Sequence, residues 1–186
     1  MESLRGKLLL AAPEMGDPNF EKSVILMVQH GQDGAMGLVI NQPTGAGVAE
    51  VLGQEYDACV TDEILYRGGP CDGPLMVLHG DPAHAQEQVL EGLYFATERR
   101  YVAPALDGSV SPARFFAGYA GWGEGQLEGE LAAKAWSVME TDAASVLERV
   151  PAEQAGVWKK LIRVKSSGEL LKDWDPKIVP RDPSHN

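Results

Sequence analysis

A run of five apolar residues, Val24-Ile25-Leu26-Met27-Val28, constrains the fold of this chain most. The run has the length of a strand, and no polar residue breaks it, so neither face of the strand is suited to contact water. Turn-forming residues precede it over 12–18 and follow it over 31–34, where the composition is that of a hairpin loop. The sequence therefore predicts a strand over 23–30 that is covered on both faces.

Further strands are predicted from short apolar runs. They lie over residues 7–12, 36–40, 63–67, 75–79, 93–95 and 114–120. Pro43 lacks a backbone donor and is expected to stop regular pairing after the strand over 36–40. Residues 83–90 are predicted to be a polar loop.

Helical spacing of apolar residues appears in four places. The faces are Val48, Val51 and Leu52; Leu127, Leu131, Ala135 and Val138, with a change to strand near Trp136; Ala143, Val146, Leu147 and Val150; and Ala155, Trp158, Leu161 and Ile162. Pro151 separates the last two at a position suited to a helix start. The class is therefore α+β, with one domain over 1–172 and a proline-rich tail over 173–186.

The charge of the chain restricts its partners. The formal net charge is −11, and the only adjacent basic pairs, Arg99-Arg100 and Lys159-Lys160, are expected to be solvated surface pairs. Because nucleic-acid binding depends on clustered cations, this pattern argues against direct binding of DNA or RNA. The sequence shows neither a membrane-spanning run nor a signal peptide, so a cytoplasmic location is expected, with Cys59 and Cys71 as reduced structural thiols.

An ordered series of motifs resembles the YqgE/AlgH family over residues 4–163. The matching blocks are Leu10-Ala11-Ala12-Pro13, Asp17-Pro18-Asn19-Phe20, Ser23-Val24-Ile25, His30, residues 34–43, Gly68-Gly69-Pro70, Val77-Leu78-His79, residues 118–122 and Gly125-Gln126-Leu127-Glu128.

The resemblance implies a bifurcated mixed β-sheet that curls into a pseudo-barrel with helices packed outside. Members are described as candidate transcriptional regulators on genetic grounds, and the family offers no established catalytic residues to carry over. Lys134 is a departure, because the family is expected to prefer Asn just before the position of Trp136. If that Asn lines a pocket, the pocket of this protein differs.

The glycine-rich stretch Gly118-x-x-Gly121-x-Gly123-x-Gly125 is the best candidate for a ligand loop. Backbone amides at a helix start can hold an anion, yet Glu124 and Glu128 would repel phosphate, so glycines serving tight turns are the competing interpretation. Trp122 is either a lid over the core or an exposed binding platform.

His30 and His79 each end a predicted strand, where they serve either as bases or as hydrogen-bonded caps. No nucleophile motif or metal-spaced cluster accompanies them. The Ser23 hydroxyl is expected to bond to the backbone, and the Asn41 side chain to fix its turn.

The sequence thus favours a non-enzymatic regulatory or interaction protein that binds a small molecule or another protein, with any role in transcription being indirect. A hydrolase or metal-assisted nuclease that uses a strand-end His and loop carboxylates is the alternative. No cofactor or bound metal is predicted, and the oligomeric state stays open. The candidate ligand- or partner-binding residues are His30, Asn41, Gly69, Pro70, His79, Gly121, Trp122, Gly123 and Gln126.

Overall fold

The computed structural model describes residues 2–52, 59–148 and 154–172. The strands in this part are β1 (Leu8–Ala11), β2 (Val24–Gly31), β3 (Gly34–Val39), β4 (Pro43–Gly47), β5 (Ile64–Arg67), β6 (Met76–His79), β7 (Glu87–Leu90), β8 (Leu93–Ala96), β9 (Ala113–Ala117), β10 (Ala120–Trp122) and β11 (Trp136–Met139). The helices are α1 (Val48–Leu52), α2 (Arg99–Leu106), α3 (Gln126–Ala132), α4 (Ala143–Leu147) and α5 (Gln154–Lys172), with one 3-10 turn at Pro82–His84.

The strands form two sheets. The first has the order β10-β3-β2-β1-β11, and the second has the order β4-β5-β9-β6-β8-β7. Neighbouring strands are antiparallel except β5 and β9, which are parallel. The predicted α+β class is confirmed, and the described strands form two open sheets and no closed barrel.

Side-chain alternation sorts the apolar residues into layers. Along β1, Leu8 and Leu10 face a central cluster shared by both sheets, whereas Leu9 and Ala11 face the outside of the first sheet. The five residues Val24 to Val28 of β2 alternate in the same way and are all fully buried. The prediction that this strand is covered on both faces is therefore confirmed.

Helices cover the outer faces of both sheets. Leu127 of α3 packs on the first sheet, and Val102 and Leu106 of α2 pack on the second. Val146 of α4 and Trp158 of α5 belong to the central cluster instead, and the Trp158 indole N–H donates to the Ala11 carbonyl oxygen at 2.8 Å. The described core therefore has the layers helix, sheet, sheet, helix, with α4 and α5 packed against the layer between the sheets.

The two sheets meet at a backbone crossing that we call the glycine seam, formed by residues 68–71 and 117–120. The Gly68 N–H donates to Ala117, and Cys71 and Tyr119 exchange two backbone hydrogen bonds of 2.9 and 3.0 Å. A Cβ atom on Gly69 would lie 2.1 Å from the Tyr119 carbonyl carbon. The lack of a side chain on Gly69 therefore allows the segment after β5 to lie this close to the segment that leads from β9 of one sheet to β10 of the other.

Two elements differ from the sequence-based prediction. Residues 87–90 form strand β7, not a loop, and the pattern is hidden because only Val89 is buried on this edge strand. Helix α2 was not predicted at all. It begins with two arginines and contains Pro104, so its apolar residues cover only part of its length and the helical pattern is hard to see in the sequence.

Pro43 begins strand β4 rather than ending regular structure. It pairs with Tyr66 at the edge of the second sheet, where a first-residue proline needs no donor. The predicted short helix exists as α1, but Val51 is 51% exposed, so only part of its expected apolar face is buried.

Lys134 occupies the left-handed position that follows α3, with a φ of 60°. Its N–H donates to Leu131 and the N–H of Ala135 donates to Glu130, which is the Schellman pattern of a helix end. Asn tolerates left-handed backbone better than Lys does. A preference for Asn at this position therefore has a backbone reason and requires no pocket.

The predicted tail over 173–186 and the predicted helix break at Pro151 lie outside the described residues. Cys59 and Cys71 are both free cysteines. Among the described helices, none combines the length and apolar character needed to span a bilayer.

Candidate binding site

His30 is held in one tautomer by contacts on both ring nitrogens. Nδ1 accepts a hydrogen bond from the Leu4 N–H at 3.0 Å, so the proton resides on Nε2, which donates to Glu128 at 3.0 Å. The N–H of Glu128 itself, and then the His30 ring, lower the pKa of the Glu128 carboxyl below its ordinary value. His30 thus ties the N-terminal segment, β2 and α3 together and presents no free nitrogen to a substrate.

His30 and Trp122 line a cavity of about 530 Å³ that we call the N-terminal groove. The residues lining it are Ser3, Arg5, Gln29, His30, Gly31, Asp33, Gly34, Ala35, Met36 and Trp122. Several of its polar groups already bond within the protein, since Ser3 donates to the His30 carbonyl and both Arg5 and Gln29 contact Glu87. Arg5 and Gln29 thus link the groove to Glu87 of the second sheet, and their polar groups are already engaged within the protein.

Trp122 is a core residue in β10, with 6% of its surface exposed. Its indole N–H donates to Glu130 at 2.9 Å, and the Trp136 indole donates to the same carboxylate oxygen at 2.7 Å. Gln126 donates to the other oxygen of Glu130 and accepts from the Gly123 N–H. The lid interpretation is confirmed, and the exposed-platform interpretation is wrong because Trp122 belongs to a strand and its ring packs beside Trp136.

Asn41, and not Ser23, forms side-chain hydrogen bonds to the backbone at the start of β2. Its side chain accepts from the Val24 N–H at 2.8 Å and donates to the Lys22 carbonyl at 2.9 Å. The predicted side-chain-to-backbone bonds are present, and they hold the segment that enters β2. Ser23 Oγ is buried without a hydrogen-bond partner in the described structure, so the prediction for its hydroxyl is wrong.

Gly69, Pro70 and Gly121 lie at or beside the glycine seam. Gly69 packs on Tyr119, Pro70 is exposed, and Gly121 lies next to the Tyr119 ring. Neither Asn41, Gly69 nor His79 lines the N-terminal groove or the second cavity described below. The structure thus distributes the nine predicted residues over several places.

His79 is fully buried at the end of β6. Nδ1 accepts from the Asp81 N–H at 3.2 Å, whereas Nε2 has no partner in the part of the chain that is described. Burial is the main cause that lowers the pKa of His79 below its ordinary value of 6.5. His79 is therefore a neutral core residue, out of contact with solvent.

The buried His79 predicts a loss of stability below neutral pH. The unfolded state takes up a proton near pH 6.5, whereas the folded state resists it, so the free energy of unfolding should fall as pH drops below that value. His79→Asn keeps an acceptor for the Asp81 N–H and cannot titrate. Urea unfolding at about pH 7.5 and 5.5 should show a smaller pH effect in this variant.

An equal pH effect in His79→Asn would contradict the prediction. Four carboxyl groups also have lowered pKa values, from ordinary values of 3.8 or 4.5: Asp81, Asp107, Glu128 and Asp142. Their contribution to the free energy of unfolding is lost at a more acidic pH than that of His79.

A second cavity, the α4–α5 cleft, has about 610 Å³ and a mainly apolar lining. It is lined by Leu8, Ile40, Met139, Glu140, Thr141, Asp142, Ser145, Val146, Glu148, Gly156, Val157, Lys160 and Leu161. Val157 and Leu161 are one helical turn apart on α5 and are both half-buried. The volume lies in the range of small-molecule sites, and the walls continue into the central cluster.

The buried Arg114 fastens two walls of the cleft. Its guanidinium donates to the Val146 carbonyl at 2.7 Å and to the Ile40 carbonyl, and it lies 4.2 Å from the centre of the Tyr66 ring. Burial lowers the pKa of Arg114, although Tyr66 opposes this shift. Arg114 therefore holds α4 against the end of β3, and these two segments supply Val146 and Ile40 to the cleft.

Sequence reasoning missed the cleft because its walls come from distant parts of the chain, from Leu8 to Leu161. One available signal was the density of carboxylates at Glu140, Asp142 and Glu148 between apolar residues. No group of three His, Cys, Asp or Glu side chains in the described ranges is arranged to hold a metal ion.

Comparison with known sequences decides the family, because the sequence profile described as AlgH-like matches residues 8–167. The chain belongs to the AlgH-like family. This AlgH-like protein is 34% identical to a UPF0301 protein of Streptomyces coelicolor, with 100% of this chain and 97% of the relative covered. A UPF0301 protein of Myxococcus xanthus is 38% identical, with 88% and 91% covered.

Two solved structures share the fold of this AlgH-like protein. The solution structure of AlgH from Pseudomonas aeruginosa is 31% identical with a TM-score of 0.70, covering 99% of this chain and 96% of that one. A crystal structure from Corynebacterium diphtheriae is 26% identical with a TM-score of 0.69, covering 88% and 87%. The resemblance predicted from the motifs is confirmed, and the relatives' names assign no activity.

Proposed function

We propose that this AlgH-like protein is a non-catalytic binding protein that uses the α4–α5 cleft to take up an apolar part of a small molecule or another protein. The observation that carries the proposal is a cleft of about 610 Å³ whose lining includes the apolar side chains of Ile40, Val146 and Val157. The N-terminal groove is less suited, since Ser3, Arg5 and Gln29 already form hydrogen bonds or ion pairs within the protein.

The hydrolase or nuclease alternative gains no support from the two histidines. His30 uses both ring nitrogens, and His79 is buried. Regulation of transcription remains a prediction, and we propose that it would act through a bound partner. We also propose that residues 1–172 form a single domain and that the joined sheets curl into a pseudo-barrel.

The test uses a neutral dye, N-phenylnaphthylamine, whose emission rises in apolar surroundings. We expect saturable binding to the full chain, and Val157→Glu should weaken it by about tenfold or more because a carboxylate then lies in the cleft wall. Val164→Glu is the matched control, since Val164 is on the same helix, is 53% exposed and does not line the cleft.

Circular dichroism and urea unfolding should show that both variants keep the fold. An equal loss of dye binding in Val157→Glu and Val164→Glu, or no saturable dye binding by the unmodified chain, would overturn the assignment of the cleft. Trp122→Ala provides the comparison for the residues predicted from sequence. If it abolishes dye binding while the fold is kept and Val157→Glu does not, the site lies near β10 instead.

A further inference from the structure

The charges around the α4–α5 cleft suggest what enters it. Among the described residues, its lining includes the carboxylates Glu140, Asp142 and Glu148 and one cation, Lys160. Lys7 outside the cleft contacts Glu140 at 2.9 Å and offsets part of this charge. The rim is nevertheless acidic on a chain whose net charge is −11, so it attracts cationic groups.

The interior of the cleft has the opposite preference. Arg114 donates to the carbonyls of two wall residues, so a positive charge lies behind the apolar surface. A cation at the floor would be desolvated and would meet this charge, whereas a cation at the rim meets carboxylates. An occupant that fits the cleft therefore has apolar groups at the floor and cations at the rim.

Two helices supply apolar walls to the cleft, an arrangement suited to the apolar face of an incoming helix. Val157 and Leu161 form one face of α5, and Val146 of α4 also lines the cleft. A groove between helices accepts apolar residues at positions i, i+3, i+4 and i+7 of an incoming helix. Lys side chains on that helix can extend their ammonium groups to the rim while their stems cover apolar surface.

We propose that the occupant of the α4–α5 cleft is a cationic amphipathic helix of a partner protein. This inference rests on the proposed function, since it specifies the partner of the same cleft. It also gives the acidic character of the chain a role in recognition, because the negative field draws a basic partner toward the rim and disfavours an acidic one.

The test uses two fluorescein-labelled peptides of about 18 residues, each with Leu at helical spacing, one with Lys and one with Glu at the remaining positions. Fluorescence anisotropy with the full chain should give a dissociation constant for the Lys peptide that is lower by about tenfold or more. The Lys peptide should also displace N-phenylnaphthylamine.

Matched charge removals separate the cleft from the general charge of the protein. Glu140→Gln with Glu148→Gln should weaken binding of the Lys peptide by about tenfold, whereas Glu14→Gln with Glu124→Gln, both exposed and away from the cleft, should change it by about twofold at most. Val157→Glu should weaken binding more than Val164→Glu, although each adds one negative charge.

Equal effects of the two pairs, or equal affinity for both peptides, would overturn the inference. If the dye binds with the predicted dependence on Val157 and the Lys peptide does not bind, the cleft is a site for another ligand. The proposed function then stands while the inference fails. If neither binds, both fail.

Discussion

Gly69→Ala is expected to lower the free energy of unfolding by about 4 kcal/mol or more, which is a large fraction of the total stability of a domain. A methyl group at this position would lie 2.1 Å from the Tyr119 carbonyl carbon and 2.4 Å from the Ala120 nitrogen. These are backbone atoms, and the hydrogen bonds between Cys71 and Tyr119 hold them in place. The sheets would have to separate at the glycine seam to make room.

Soluble yield, circular dichroism and urea unfolding would measure this effect. Gly16→Ala is the matched control, because a Cβ atom there meets nothing within 4 Å, and its stability should change by less than about 0.5 kcal/mol. Comparable unfolding midpoints for the two variants would show that the seam can relax, contrary to the prediction.

Arg114→Met is expected to lower the free energy of unfolding by about 3 kcal/mol. The change keeps an apolar side chain of similar length but leaves the carbonyls of Ile40 and Val146 without their buried donor. It also removes the guanidinium from the face of the Tyr66 ring, 4.2 Å away. Relief of the desolvation of a buried charge offsets part of the loss.

Urea unfolding would measure the difference, with Arg100→Met as the control. The Arg100 side chain is 70% exposed and pairs with Glu98, so its replacement should cost less than about 1 kcal/mol. An unchanged or higher stability of Arg114→Met would mean that desolvation of the guanidinium outweighs its bonds. Arg114→Met should also weaken dye binding, because Ile40 and Val146 are walls of the cleft.

The two predictions concern different means of joining the layers. At the seam, the absence of a side chain on Gly69 lets two backbone segments meet. The long Arg114 side chain instead reaches the carbonyl of Ile40, just after β3, and the carbonyl of Val146 in α4. The motif Gly68-Gly69-Pro70 marks the glycine seam in the sequence, although Gly69 and Pro70 are predicted from sequence as candidate binding residues. Nothing local in the sequence marked Arg114, because its partners are 32 and 74 residues away.

Local patterns were sufficient for elements whose burial is visible along the chain. The apolar run in β2 and the spacing of Leu127 and Leu131 in α3 predicted those elements, because every second or every third to fourth residue has to be buried. Edge strand β7 and helix α2 were missed. Each buries few side chains, and its regular structure depends on a neighbour in the second sheet.

The sequence by itself determined the α+β class, the family, the acidic charge and a strand covered on both faces, because composition, motif order and side-chain period are properties of the chain. Only the tertiary structure decided that His30 links the N-terminal segment to α3, that His79 is buried and that Trp122 belongs to the core. It alone also formed the α4–α5 cleft, whose walls are brought together from both ends of the chain by sheet pairing and by Arg114. Such contacts depend on distances in space, and no local spacing of residues records them.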